Sequence, residues 1–363
     1  RQTEQILRRN MGRTLCRMEP LCLLPLNGGN EFNSPEIIRD LQRFKQVSAF
    51  AVTLPVANRA EIAVVVSERA NAVLAFEKRQ IEQEPRQVYL ADGKPARGSR
   101  SSQPLTGELV YSQRTRLAEL GAPVDYILAE DLDRVIDRPY KMWVFLNEFD
   151  PDERFLEAVK QLQQRDNLLV WLYAPGVFCN DRPAGTALSR ELTGMELKPL
   201  PNALEPMVEF PDGATMGARG VLTPLFAVES APGVQPLAVY RDAPENVALA
   251  QTRVGKAGSV FCGTPHLAPD FFRKLAQQAG VHLYSETGDV LFANSRFLAF
   301  HAVTPGLKTV RLPQPSDVVE VFSNRVLARG VREFQFEANL HDSFLFYLGD
   351  VESLRNILQE HDR

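Results

Sequence analysis

No run of about 18 apolar residues occurs in the sequence, which excludes a membrane-spanning helix. Basic residues are not clustered either: net charge is −4, and no segment carries a dominant stripe of Lys and Arg. A nucleic-acid partner needs such a stripe to neutralise phosphates, so none is expected. The first residues, Arg1-Gln2-Thr3-Glu4, are charged and lead into no apolar signal core. Cysteine is scarce. Cys16, Cys22, Cys179 and Cys262 form no C-x-x-C pair, and no His stands at metal-ligand spacing from one. They read as buried apolar thiols of a reducing compartment, so the cytoplasm is the expected location and no metal is expected. No Gly-x-Gly-x-x-Gly or phosphate loop follows the first strong strand, and no cofactor is implied.

What is present is enough apolar material, 44% of 363 residues, for two or three cores. The chain opens without Met and in mid-helix, as a piece of a larger protein or a processed chain would. Apolar positions Ile6, Leu7, Met11, Leu15 and Met18 predict a helix over 3–18. A short apolar run at 21–26, a glycine turn at 27–30 and a helix opened by Ser34-Pro35 follow. The β-branched run Ile62-Ala63-Val64-Val65-Val66 predicts a strand buried on both faces of a parallel sheet. Residues 78–104 are polar and read as a solvated insertion.

Beyond them, a helix at 105–120, strands at 124–128 and 142–146, a helix at 152–165 and a strand at 168–173 alternate. That alternation implies a doubly wound α/β sheet. Further strands are expected at 225–228, 236–240, 247–254 and 258–262, with a closing helix at 268–279. From residue 281 the apolar period falls to two. Strands at 290–292, 297–303, 308–312, 318–322, 334–336 and 344–348 predict a small antiparallel β-sandwich, followed by a tail helix from Val351.

Five segments in order carry a resemblance: Tyr111-Ser112-Gln113-Arg114, Leu120-Gly121-Ala122-Pro123-Val124-Asp125, Tyr140-Lys141-Met142-Trp143-Val144-Phe145-Leu146-Asn147, Trp171-Leu172-Tyr173-Ala174-Pro175-Gly176 and Leu192-Thr193-Gly194. They resemble the trimerisation-type domain of β-galactosidase-like glycoside hydrolases, which is similar in fold to class I glutamine amidotransferases. The resemblance implies three parts. Residues 1–58 would be the last helix, strand and helix of a (β/α)8 barrel, 59–280 a flavodoxin-like (amidotransferase-like) domain, and 281–363 the C-terminal β-sandwich. It further implies a homo-trimer, and carbohydrate bound through the barrel of the parent protein. Relatives tend to carry Trp and Asp on the last barrel strand. This chain has Cys22, Leu23, Leu24 and Pro25 there, so an altered sugar site is implied.

Retaining glycosidases need two carboxylates about 5 Å apart at strand ends. The resemblance places both upstream of residue 1, so no catalytic residue is expected in this chain. Glu31 alone follows a barrel-type strand, and it also suits a loop acid before a helix N-terminus. Amide hydrolysis needs a thiol at the sharp turn after strand 168–173, activated by a His. That turn reads Ala174-Pro175-Gly176, with Cys179 further on, so the reaction is not expected. His266 follows a strand where such a His would stand, and is either part of a vestigial pocket or a hydrogen-bonded loop residue. His282, His301, His341 and His361 are scattered. Glu130-Asp131 and Asp131/Asp133 follow a strand at the sheet's carboxyl edge, as a cation site or as a helix-start cluster. Trp143 and Trp171 are core or interface residues. The expected function is non-catalytic assembly and support within a glycoside hydrolase. A free-standing amidotransferase-like binding or interaction module is the alternative.

Overall fold

The computed structural model describes residues 2–23, 32–70, 89–90, 105, 107–179 and 185–359. The chain divides into two compact units. One joins Arg1–Ala60, Ala118–Val124 and His282–Arg363; the other holds Glu61–Leu117 and Asp125–Val281.

In the first unit the helix Gln2–Arg17 buries Leu7, Met11 and Leu15, spaced four apart along one face. The helix Pro35–Ala51 is started by Ser34, whose Oγ accepts from the Ile37 N–H at 3.2 Å. A two-pronged ion pair, Arg8 to Asp40 at 2.6 and 3.0 Å, ties the two helices together. Both cover one face of a five-stranded antiparallel sheet. Its order is Val290–Ala293, Phe297–His301, Ser343–Leu348, Gly306–Glu320, Arg325–Ala338.

Polar bonds lock this N-terminal segment onto that sheet. Asn294 donates to the Leu15 and Cys16 carbonyls at 3.2 and 2.9 Å, capping the first helix. Ser343 bonds Gln5 twice, at 2.7 and 2.6 Å. Residues 1–58, expected as a part of their own, therefore share a core with the last eighty residues. Gly121 explains why 118–124 belongs there too. Its carbonyl accepts from Tyr284 N–H at 2.8 Å, its φ is +96°, and an added Cβ would meet the Ser285 oxygen at 1.7 Å.

Gly12 is a second close approach, for a Cβ there would lie 2.6 Å from the Ala299 Cβ. Alanine is normally the better helix former by about 1 kcal/mol. Here overpacking dominates, and Gly12→Ala should destabilise by about 1–3 kcal/mol. Urea unfolding checks this, and adding Ala299→Gly should recover most of the loss; a more stable single variant would contradict it.

The expected sandwich is instead one continuous sheet. Strands predicted at 308–312 and 318–322 are a single strand, Gly306–Glu320. Pro313 and Pro315 carry no N–H, so pairing lapses between Arg311 and Ser316 while the chain stays extended. The run at 21–26 is irregular at 21–23, and its remainder, with the glycine turn and Glu31, lies outside the described residues.

The second unit is built on parallel strands Ala257–Cys262, Leu168–Leu172, Met142–Phe145 and Ile62–Val66, with Val124–Leu128 at the edge. Phe145 stacks on Trp171 at 3.9 Å, and Trp143 and Trp171 are both fully buried core residues. An antiparallel extension, Ala243–Val254, Gln235–Tyr240, Met207–Glu209 and Thr215–Arg219, continues the same sheet. The short strands Leu197–Pro199, Met207–Glu209 and Thr215–Arg219 have no counterpart in the sequence reading. Tyr89–Leu90 pairs with Thr215–Arg219, so the expected insertion contributes a strand; its other residues lie outside the description.

Candidate functional site

The carboxyl ends of parallel strands are where open α/β sheets usually hold ligands. Here Asn147 Oδ1 accepts from Ser67 N–H at 2.9 Å, and its Nδ2 donates to the Ser67 carbonyl at 3.0 Å. This buried side-chain amide continues the ladder between the Ile62–Val66 and Met142–Phe145 strands past their carboxyl ends. Glu130 Oε1 accepts from the Glu68 and Arg69 N–H groups, each at 3.2 Å. A chain carboxylate thus sits on the donors that an anionic ligand would use. Asp131 pairs with Arg134 at 2.8 Å and Asp133 with Arg154 at 2.6 Å, which holds Asp133 below the usual carboxylate range. Within the Glu130-Asp131-Asp133 cluster, both aspartates are paired with arginines and Glu130 Oε1 with backbone donors, while Glu130 Oε2 is buried without a hydrogen-bond partner among the described residues. Among the described residues no group of three or more His, Cys, Asp and Glu could hold a metal ion.

Glu148 lies beside this edge and is 3% exposed. Burial first, and then the charges of Glu130, Asp152 and Asp150, push its carboxyl well above the ordinary value. Asp150 is held by Arg69 at 3.0 Å. Neither Glu148 nor Asn147 stood out in the sequence as a site residue. An uninterrupted Asn-Glu after an apolar strand gives no sign of which side chain folds inward.

At the turn after Leu168–Leu172 the left-handed residue is Tyr173, with φ +66°, ahead of the expected Pro-Gly corner, where Gly176 also has positive φ. The Tyr173 OH donates to the Pro224 carbonyl at 2.8 Å. Its ring packs against Phe149 and Phe226, each at 5.9 Å, and Phe178 at 6.5 Å. The place where an acyl-forming thiol would stand is therefore filled by aromatic core. Cys179 is half-buried, with its Sγ 3.8 Å from the Phe149 and Gly176 carbonyls. Burial pushes the thiols of Cys16 and Cys262 up to about 12, so neither supplies a thiolate. Cys22 is exposed.

His266 is buried, its Nδ1 3.7 Å from Glu108 Oε2. Glu108 lies on a π-helical turn, Gly107–Ser112, and burial raises its carboxyl to about 7 against weaker opposing effects of Ser112 and Arg116. The other histidines are not brought to this site. His282 packs edge-on to Tyr284 at 4.7 Å. His301 shares a 2.8 Å hydrogen bond with Ser343 Oγ and stacks on His341 at 6.0 Å. Burial, followed by Arg9 and His341, pushes His301 down to about 4. His361 lies outside the described residues.

No protein-family model and no curated protein matches this sequence. Solved structures do match in fold. Gan42B, a GH42 β-galactosidase from G. stearothermophilus, aligns over 88% of this chain and 45% of its own, at 16% identity and TM-score 0.58. The β-galactosidase from Bacillus circulans sp. alkalophilus aligns over 88% of this chain and 46% of its own, with 15% identity and TM-score 0.57. The α-L-fucosidase isoenzyme 2 from Paenibacillus thiaminolyticus covers 95% and 57%, with 11% identity and TM-score 0.55. The fold is that of a part of GH42 β-galactosidases, and this chain spans less than half their length. No described helix is long and apolar enough to cross a membrane.

Proposed function

We propose that this chain is the non-catalytic assembly and support portion of a β-galactosidase-like glycoside hydrolase. The alignment of 88% of the chain with 45% of a β-galactosidase carries the proposal, because it spans both compact units in one alignment. The aromatic filling around Tyr173 supports it from the other side, since amide-hydrolysing chemistry has no thiol there. In this reading the parallel-stranded unit is the flavodoxin-like, amidotransferase-like trimerisation domain. Residues 1–58 close a (β/α)8 barrel whose two glutamates or aspartates lie outside this sequence, and carbohydrate is bound through that barrel. The location is the cytoplasm, where thiols outside disulfides are stable.

Two measurements on the purified chain test it. Size-exclusion with light scattering should return the mass of three chains; a strict 40.7 kDa monomer would remove the assembly role. Incubation with p-nitrophenyl β-D-galactoside, and separately with glutamine, should give no turnover above buffer. Hydrolysis of either substrate by this polypeptide alone would overturn the non-catalytic assignment.

A further inference from the structure

The strand Gly306–Glu320 pairs with Arg325–Ala338 up to Arg311 opposite Glu333, and pairing resumes at Ser316 opposite Val331. Residues 312–315 thus face Arg332 alone, and two of them are prolines, which cannot donate to the ladder. Arg332 Nη1 braces the displaced stretch by donating to the Pro313 carbonyl at 3.3 Å. At this bulge the first compact unit has a cleft of about 260 Å³, its open mouth included. Leu312, Pro313 and Leu348 give it an apolar lining, while Arg59, Ser295 and Ser316 bring polar groups.

Arg59 is held at the cleft through its neighbours. The Ser295 N–H donates to the Ala57 carbonyl at 2.9 Å, Ser295 Oγ accepts from the Ala57 N–H at 2.8 Å, and Asn58 bridges Asn294. Arg59 itself is half-buried and has no ion pair or hydrogen bond among the described residues. Arg311, by contrast, is tied to Glu286 and Glu333. No Asp or Glu lines the cleft, so nothing there neutralises the Arg59 charge.

A guanidinium grips a carboxylate through two parallel N–H···O bonds, and a serine hydroxyl can donate to the same oxygens. A short hydrocarbon tail would leave water against Leu312, Pro313 and Leu348, a gain that an inorganic anion lacks. Sites for drug-sized ligands span roughly 300–1,000 Å³, so this cleft suits something smaller. We infer that it binds a small aliphatic carboxylate, with Arg59 as the charge partner. This site goes beyond the assembly reading and does not depend on it.

Ligand-observed NMR titration of the full chain tests it, with butyrate, acetate, butylamine and sulfate compared at matched ionic strength. Butyrate should bind with a Kd of about 1 mM, within the bound for six non-hydrogen atoms. Acetate, two methylenes shorter, should bind roughly ten-fold more weakly. Butylamine, with the same tail and the opposite charge, should not bind. Arg59→Gln should weaken butyrate by about ten-fold or more, without lowering Tm, because Arg59 holds no other group. If that variant does not fold, the ¹⁵Nε signal of Arg59 in the unmodified protein decides, shifting as butyrate binds. Undiminished butyrate binding by Arg59→Gln, an unmoved Arg59 signal, or butylamine binding as tight as that of butyrate would overturn the proposal. Sulfate or acetate binding as tightly as butyrate would overturn it too, because charge and not the hydrocarbon tail would then select the ligand.

Discussion

Asp289→Ala should lower the unfolding free energy by about 3–5 kcal/mol, the usual cost of leaving a buried charge without its partner. Lys308 and Asp289 meet at 2.8 Å, and their side chains are 2% and 0% exposed. Both carboxylate oxygens and two N–H groups of the ammonium have partners. Asp289 Oδ1 accepts from the Val303 and Thr304 N–H groups at 2.7 and 3.3 Å. Its Oδ2 accepts from Thr287 Oγ1 at 2.6 Å, and Lys308 Nζ donates to Thr304 Oγ1 at 2.9 Å. Removing the carboxylate strands an ammonium inside the unit whose core includes Leu291, Phe300 and Val310. Replacing both partners by apolar residues, Asp289→Leu with Lys308→Met, should cost far less than the single change, because no charge remains to be desolvated. Urea unfolding of both variants measures this. A loss under about 1 kcal/mol for Asp289→Ala would show that the pair is not buried as described.

The second large effect is a pH dependence. Glu108 has an ordinary value of 4.5 and is raised to about 7 in the folded chain, mainly by burial. A carboxyl whose folded value is raised binds its proton more tightly when folded. Its contribution is therefore complete below about 4.5 and is lost as pH rises through about 7. A shift of that size corresponds to roughly 3 kcal/mol. Glu148 acts in the same direction, since burial and neighbouring acids also raise it. His301 acts in the opposite one. Pushed from 6.5 down to about 4, it favours the folded state above 6.5 and loses that contribution as pH falls toward 4. The difference between the unmodified chain and Glu108→Gln isolates the first term. Unfolding free energies at pH 5 and pH 8 should fall more steeply for the unmodified chain, by up to roughly 3 kcal/mol. Parallel slopes would mean that Glu108 titrates as a solvated acid.

The parallel strands were legible because their apolar runs are continuous: Ile62–Val66, Met142–Phe145 and Leu168–Leu172 lie within two residues of their expected limits. Ser34-Pro35 marked a helix start for an equally local reason, a side-chain oxygen one turn from a free N–H. The strands Leu197–Pro199, Met207–Glu209 and Thr215–Arg219 escaped because each is at most five residues long, too short to set a period. The long strand Gly306–Glu320 was read as two because prolines in an extended bulge look, locally, like prolines in a turn.

Local chemistry alone determined the parallel strands, the helix start at Ser34-Pro35 and the thiol-free turn near Tyr173, since each depends on neighbours within a few residues. Tertiary structure alone decided which distant segments share a core, and so joined Gln5 to Ser343 and Gly121 to Tyr284. It also decided which acids are buried. One Glu130 oxygen accepts from two backbone N–H groups, while burial raises the carboxyls of Glu108 and Glu148. Desolvation depends on everything packed around a group, and no spacing along the chain encodes it.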